Sequence, residues 1–202
     1  MQWPQTQSGI DRDFGVWWNY PVNDYCDGHL LMSPLHCLDN DVTNISTFFL
    51  NPMSEADASK VAIYSGADYS WNMEAFDSQA SWERAIYELV PEANKEFERF
   101  ADNIGFVSEG SGFVFEESVY LKEDLDAFEV AVYSGEGLAE INAKLKASFE
   151  QIVADADVLK NINDKELLEE ITVHLDAYKV LGQAGVALTE SYEAALAGNI
   201  EV

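Results

Sequence analysis

Positive charge is scarce in this chain. Of its 202 residues only 11 are Lys or Arg, against 37 Asp and Glu, for a formal charge of −26. The arginines are Arg12, Arg84 and Arg99 alone, and no basic run exists. Nucleic-acid binding relies on clustered cations that displace counterions from phosphate, so nucleic acid is excluded as a partner, and an anionic membrane surface with it. Long apolar runs are missing as well. No stretch approaches the roughly eighteen apolar residues that a bilayer-spanning helix needs. The opening residues, MQWPQTQSGIDRDFG, show no basic start followed by an apolar block and do not read as a signal peptide. Two cysteines, Cys26 and Cys37, make no disulfide framework, and their loop-like surroundings leave open whether they pair or stay thiols. Three scattered histidines (His29, His36 and His174) offer no zinc spacing, so neither a metal site nor a cofactor is expected.

Apolar and aromatic residues are plentiful. A hydrophobic share of 48%, with five Trp, nine Tyr and eleven Phe, supports a real core. The chain changes character near residue 52. Before it, FGVWWN (14–19) and ISTFFLN (45–51) combine β-branched and aromatic residues over strand-like lengths, and each stops at a proline, Pro21 and Pro52. Residues 23–44 supply loop chemistry around a short apolar Leu30-Leu31-Met32. After residue 52 the period switches from two to about three and a half. Ser54-Glu55-Ala56-Asp57 reads as a capping box opening a helix whose inner face carries Ala58, Val61, Ala62, Ala67, Tyr69 and Trp71. Further stripes follow: Trp82, Ala85, Ile86 and Leu89; then Phe97, Phe100, Ala101 and Ile104. Residues 105–120 read as a loop with at most a short strand. The next stripe is Leu125, Phe128 and Val132, then Leu138, Ile141, Leu145, Phe149 and Ile152. Asn163 or Asp164 caps a last helix with Leu168, Ile171, Leu175, Tyr178, Leu181, Leu188, Tyr192 and Leu196 inside. Gly182 and Gly185 interrupt that helix, where each glycine costs about 1 kcal/mol, and a close helix crossing would justify them. The fold expected is mainly α with a small α/β part, a β/α piece over residues 1–75 and a helical bundle over residues 76–202.

The stretch VWWNYPVNDY (16–25) is where function enters. In a strand alternate side chains share a face, so Trp17 and Asn19 point one way and Val16 and Trp18 the other. With Val16 and Trp18 under a helix, Trp17 and Asn19 line the opposite face at the carboxyl end, and the turn at Pro21 swings Asp24 over that same end. ISTFFLN ends likewise in an amide, Asn51, before Pro52 and a helix. Two such strands fit consecutive βα units, and in a (β/α)8 barrel this end is where active sites are built. An indole face, two amides and a carboxylate suit a sugar ring. The plain alternative is an aromatic strand in an ordinary α/β core, with Asn19 and Asp24 as turn residues.

The wording of the motifs adds a second argument. WWNYPVNDY, then FLNPMSEADASKVAIYSGADYSWN, then SWERAI, closely resembles glycoside hydrolase family eighty-four, the bacterial β-N-acetylglucosaminidases (some long called hyaluronidases) and the O-GlcNAcases. The resemblance is strongest over residues 14–90. It implies the last two βα units of a (β/α)8 TIM barrel followed by a helical bundle. It implies that Trp17 helps wall the pocket for the 2-acetamido group, that Asn19 and Asn51 bond the bound sugar, and that Asp24 accepts hydrogen bonds from its distal hydroxyls. The partner implied is an N-acetylglucosamine-containing glycan, and the setting secreted or cell-surface in a full-length protein.

The same resemblance implies a substrate-assisted retaining mechanism, in which the acetamido carbonyl is the nucleophile and two adjacent aspartates assist. This sequence contains no Asp-Asp dipeptide; Glu116-Glu117 falls in the loop-like insert and Glu169-Glu170 on a helix. Nor can two strands close a barrel. The expectation is a chain with sugar-binding residues and no catalytic pair, Met1 marking a truncation or the start of a product that assembles with the missing N-terminal barrel portion. The rival is a non-catalytic helical binding module or an inactive remnant of such an enzyme.

Overall fold

The computed structural model describes residues 7–26, 28–35, 38–41, 45–105 and 118–198. It is mainly helical with one small parallel sheet, as expected. Strands β1 (Phe14–Pro21) and β2 (Ile45–Asn51) are followed by helices α1 (Lys60–Trp71), α2 (Ser78–Leu89), α3 (Asn94–Ile104), α4 (Val119–Ser134), α5 (Leu138–Leu159) and α6 (Lys165–Leu196). Two compact units result, one holding the described residues up to Pro91 together with Gly105, the other Glu92–Ile104 and the described residues from Ser118 on.

In the first unit the period-two reading of the strands holds. Val16 pairs with Phe48 and Trp18 with Leu50, and this face meets α1. Phe48 lies 5.4 Å from the Tyr69 ring, and Tyr69 lies edge-on to Phe76 at 5.2 Å. Gly66 lets α1 come close, because a Cβ there would sit 2.4 Å from Leu50 Cδ1. Tyr69 and Trp71 were expected on one inner face. Two residues apart on an α-helix, they are separated by roughly 200°, and Trp71 is 91% exposed while Tyr69 is buried. Ala67 also faces out, and Ser65 and Gly66 take its place inside.

The expected capping box is not formed. Helix α1 begins at Lys60, and residues 56–59 are turns. Ser54 Oγ donates to its neighbour Glu55 at 3.1 Å, the Glu55 carboxylate accepts from Asn23 Nδ2 at 3.1 Å, and Asp57, expected at the third helical position, pairs with Lys60. Ser59 does the local fastening instead, accepting from Met53 N–H at 3.0 Å and donating to Glu55 carbonyl oxygen at 2.8 Å.

The connection from β1 to β2 carries no helix among the described residues, so only β2 and α1 form a regular βα pair. Its middle is core. Leu30, Leu31, Met32 and Leu35 are all buried. An irregular backbone can be buried only if its polar groups find partners. Here distant side chains supply them: Tyr20 OH donates to Ser33 carbonyl oxygen (2.8 Å), Trp82 Nε1 to that of Met32 (2.6 Å) and Tyr69 OH to that of Asp39 (2.8 Å). Burial pushes the Tyr20 hydroxyl far above the usual tyrosine range, so it stays a neutral donor. Tyr20→Phe strands the buried Ser33 carbonyl and is expected to cost about 1–3 kcal/mol, read as a lower urea midpoint at unchanged slope.

In the second unit Phe97, Phe100 and Ala101 are buried as expected, and Asp164 caps α6 by accepting from Leu167 N–H at 3.0 Å. The α4 stripe is rotated: Leu121, Asp124 and Ala131 face in, while Leu125 and Val132 are exposed. On α6 the seam runs Leu167, Ile171, Leu175, Tyr178, Gly182, Gly185 and Thr189, leaving Leu181, Leu188 and Leu196 exposed. Among the described residues no helix is long and apolar enough to cross a membrane. Cys37, His36, Glu116, Glu117 and the short strand expected near FVFEE lie outside the described residues, and the pairing of Cys26 with Cys37 falls there too.

Candidate functional site

Three of the four expected site residues come together at the carboxyl ends of β1 and β2. Trp17 pairs with Phe49 across the sheet, on the face opposite α1. Their rings stack at 6.2 Å and 30°, and both stay open, Trp17 at 66% and Phe49 at 53% exposure. Beyond Trp18 the register slips: Trp18 faces Leu50, and Pro21 faces Asn51, so Asn19 and Tyr20 are extra residues in β1. Bulges of this sort re-aim side chains at sheet ends. Tyr20 turns into the core and Asn19 stays on the open face. The Tyr20–Pro21 peptide is cis.

The bulge puts Asn19 between its partners. Its Oδ1 accepts from Trp17 Nε1 at 2.7 Å and from Asn51 Nδ2 at 3.3 Å. These bonds fix how each group points. The indole is held edge-on to the amide, so its face is free to meet an apolar surface. Asn19 keeps its two side-chain N–H donors and Asn51 its side-chain Oδ1 acceptor for other use, since neither bonds a described protein group. An aromatic face with a donor and an acceptor beside it is what a sugar ring or an acetamido group can use.

Asp24 is placed differently. It is exposed in the loop after Pro21 and shares no hydrogen bond with Trp17, Asn19 or Asn51. Its neighbour Tyr25 is 44% exposed, and partial burial, then Cys26 and Asp24, push the phenol up, so it remains a neutral donor. The loop is a double turn, Cys26 N–H donating to Asn23 carbonyl oxygen (3.0 Å) and His29 N–H to that of Cys26 (3.2 Å). It is tied to the end of β2 twice, by Val22 N–H on the Asn51 carbonyl (2.8 Å) and by Asn23 Nδ2 on Glu55 Oε2 (3.1 Å). Sequence reasoning gave no role to Asn23, nor to Glu55, which it passed over between the expected capping residues Ser54 and Asp57. Only the distance between two segments thirty-two residues apart reveals the pair. The described residues hold no cluster of three or more His, Cys, Asp or Glu able to take a metal.

Comparison with known proteins bears on this arrangement. Over almost its whole length the chain is similar to two solved structures. It is 30% identical to CpGH84D, at a TM-score of 0.88, covering 93% of this chain and 32% of that one. It is 28% identical to CpGH84B, at a TM-score of 0.87, covering 97% of this chain and 34% of that one. A Thermobaculum terrenum O-GlcNAc hydrolase variant shares the fold at 24% identity and a TM-score of 0.78, with 96% and 44% covered. The chain thus spans about a third of the length of the first two. The family model for β-N-acetylglucosaminidase (NAGidase) matches residues 1–102, which include both strands, the Asp24 loop and the Glu55 turn. With half of the sequence inside that match, the chain belongs to the β-N-acetylglucosaminidase family, of the glycoside hydrolase family eighty-four type that its motifs resemble.

Proposed function

We propose that this chain supplies the sugar-binding end of a retaining β-N-acetylglucosaminidase that removes terminal β-linked N-acetylglucosamine from glycans or glycoproteins. The observation that carries the reading is the bonded cluster of Trp17, Asn19 and Asn51 on the open face of a parallel strand pair. In this reading β1 and β2 are the last two strands of a (β/α)8 barrel, whose carboxyl ends form the active site. The indole face of Trp17 walls the acetamido pocket, the amides of Asn19 and Asn51 bond the sugar, and Asp24 accepts from its distal hydroxyls. In the substrate-assisted reaction the acetamido carbonyl attacks the anomeric carbon, an oxazoline forms, and water then opens it. These residues hold the acetamide and ring in place; proton transfer needs an acid–base carboxylate, and the 202 residues contain no Asp-Asp pair to provide it. The remaining barrel strands and that pair belong to residues other than these.

A chromogenic β-N-acetylglucosaminide separates the possibilities. The purified 202-residue chain is expected to give no turnover, and turnover would overturn the argument from the missing pair. A chimera joining this chain to the part of CpGH84D outside its match is expected to be active. In it Asp24→Ala lowers kcat/KM roughly ten- to hundredfold, the worth of hydrogen bonds to a charged group. An active chimera indifferent to both Asp24→Ala and Trp17→Ala would leave the chain a helical module with no part in sugar binding.

A further inference from the structure

Asp24 is the one proposed sugar ligand that the cluster does not hold, and something else must set its place. Asn23 is the hub. Its Nδ2 donates to His29 carbonyl oxygen at 2.9 Å, closing the double turn from within, and to Glu55 Oε2 at 3.1 Å, fastening that turn to the segment after Asn51. Glu55 is half-buried, and its carboxylate also accepts from Ser54 Oγ at 3.1 Å. A few residues upstream, Asn51 offers its side chain to Asn19 and its carbonyl to Val22. Asp24 and Asn51 are therefore registered against one another by a short ring: Asn51 backbone, Val22, Asn23, Glu55 and back. Charge-assisted bonds are the stronger kind, and the Asn23–Glu55 bond is the only side-chain member of this ring.

We infer that Glu55 is a positioning residue: through the Asn23 carboxamide it holds the Asp24 turn in register with the Trp17–Asn19–Asn51 cluster, and so sets affinity for the distal hydroxyls of N-acetylglucosamine. This rests on the reading of Asp24 given above. Glu55 does not touch the sugar. Its removal frees the turn, and Asp24 then has to be ordered each time a sugar binds, at a cost in affinity confined to the hydroxyls Asp24 contacts.

The test is a titration of the 202-residue chain with the methyl β-glycoside of N-acetylglucosamine, and with its analogue lacking the hydroxyls on C4 and C6, followed by assigned amide and indole resonances. In the wild type the Trp17 indole, Asn51 side-chain amide and Asp24 backbone resonances are expected to move together. Glu55→Ala raises Kd for the full glycoside roughly tenfold and leaves that for the analogue unchanged, while Glu55→Gln, which keeps an acceptor oxygen for Asn23, restores most of the loss. A general loosening of the fold would weaken both glycosides alike. A folded Glu55→Ala that binds both as the wild type does, or weakens both equally, overturns the positioning role and leaves the pocket reading intact. Where the wild-type chain alone is silent the same comparison is made in the chimera described above, and silence of Trp17 and Asn51 there overturns the pocket reading, and this inference with it. If Glu55→Ala fails to fold, Asn23→Ser, too short to reach Glu55, carries the same comparison with the same outcomes.

Discussion

Replacing Arg99 with methionine is expected to lower the unfolding free energy of the helical unit by about 3–5 kcal/mol. The reason is what it leaves behind. The Asp155 side chain, on α5, is fully buried, and Arg99 of α3 reaches it with a two-pronged fork, Nε at 2.6 Å and Nη2 at 2.7 Å. Gln151 Nε2 adds a third donor at 2.8 Å. The hydrogen bond to Asp155 holds the Arg99 guanidinium above even its usual range, so it is a permanent cation. Without it a carboxylate remains in a dry site with one neutral donor, and a buried charge stripped of its partner is among the costliest defects a core can hold. Stability of small domains is only about 5–15 kcal/mol, so the variant sits near the edge of folding. The pair itself adds little, because its attraction offsets a desolvation cost of similar size. The double variant Arg99→Met with Asp155→Leu is therefore expected to recover to within about 1 kcal/mol of the wild type. Urea denaturation followed by far-ultraviolet circular dichroism measures both. A single variant that costs under about 1 kcal/mol would mean that Asp155 is solvated, or carries its proton, when Arg99 is gone.

The contrast between such pairs and the strands explains what could be read in the sequence. Trp17 and Asn19 were legible because strand geometry alternates strictly and prolines mark both ends; the facing argument needed no long-range information. Asn51 followed from the same pattern in β2. The Leu30–Leu35 segment was not legible as core, since its burial depends on Tyr20, Tyr69 and Trp82 reaching its carbonyls from elsewhere in the chain. The capping box was misread for a related reason: the spacing of Ser54 and Asp57 suits a helix start, but the chain makes a turn there first and Asp57 pairs with Lys60. On α4 the inward place is held by Asp124, bonded to Lys144 at 2.6 Å, and a charged residue inside is invisible to a search for apolar stripes. On α6 the apolar pattern pointed to Leu181 and Leu188, each one residue, or about 100°, off the seam that Gly182, Gly185 and Thr189 follow.

That glycine seam sets up the second large effect. Gly182→Leu is expected to destabilise the helical unit by about 3 kcal/mol, and Gly182→Ala by about 2. A Cβ at Gly182 would lie 2.8 Å from Ile152 Cγ2, 2.9 Å from Val153 Cγ2 and 2.9 Å from the Phe149 backbone oxygen. The side chains can turn aside, but the carbonyl belongs to the α5 backbone and moves only if the helix does. Helix propensity favours alanine over glycine by about 1 kcal/mol, so the clash has to outweigh that gain for the sign to hold. Gly185 looks the worse site by distance, with Phe149 Cγ and Cδ atoms nearer still to an added Cβ, yet the obstacle is a half-buried side chain, which can clear a methyl by turning about χ1 without moving the α5 backbone. Gly185→Ala should therefore cost less than Gly182→Ala, about 1 kcal/mol or under, despite the shorter contact. The order of the two is the decisive measurement. If Gly185→Ala proves the more harmful, or Gly182→Ala stabilises, then α5 and α6 yield as whole helices, and it is the separation of the axes, not an immovable carbonyl, that requires glycine at the crossing.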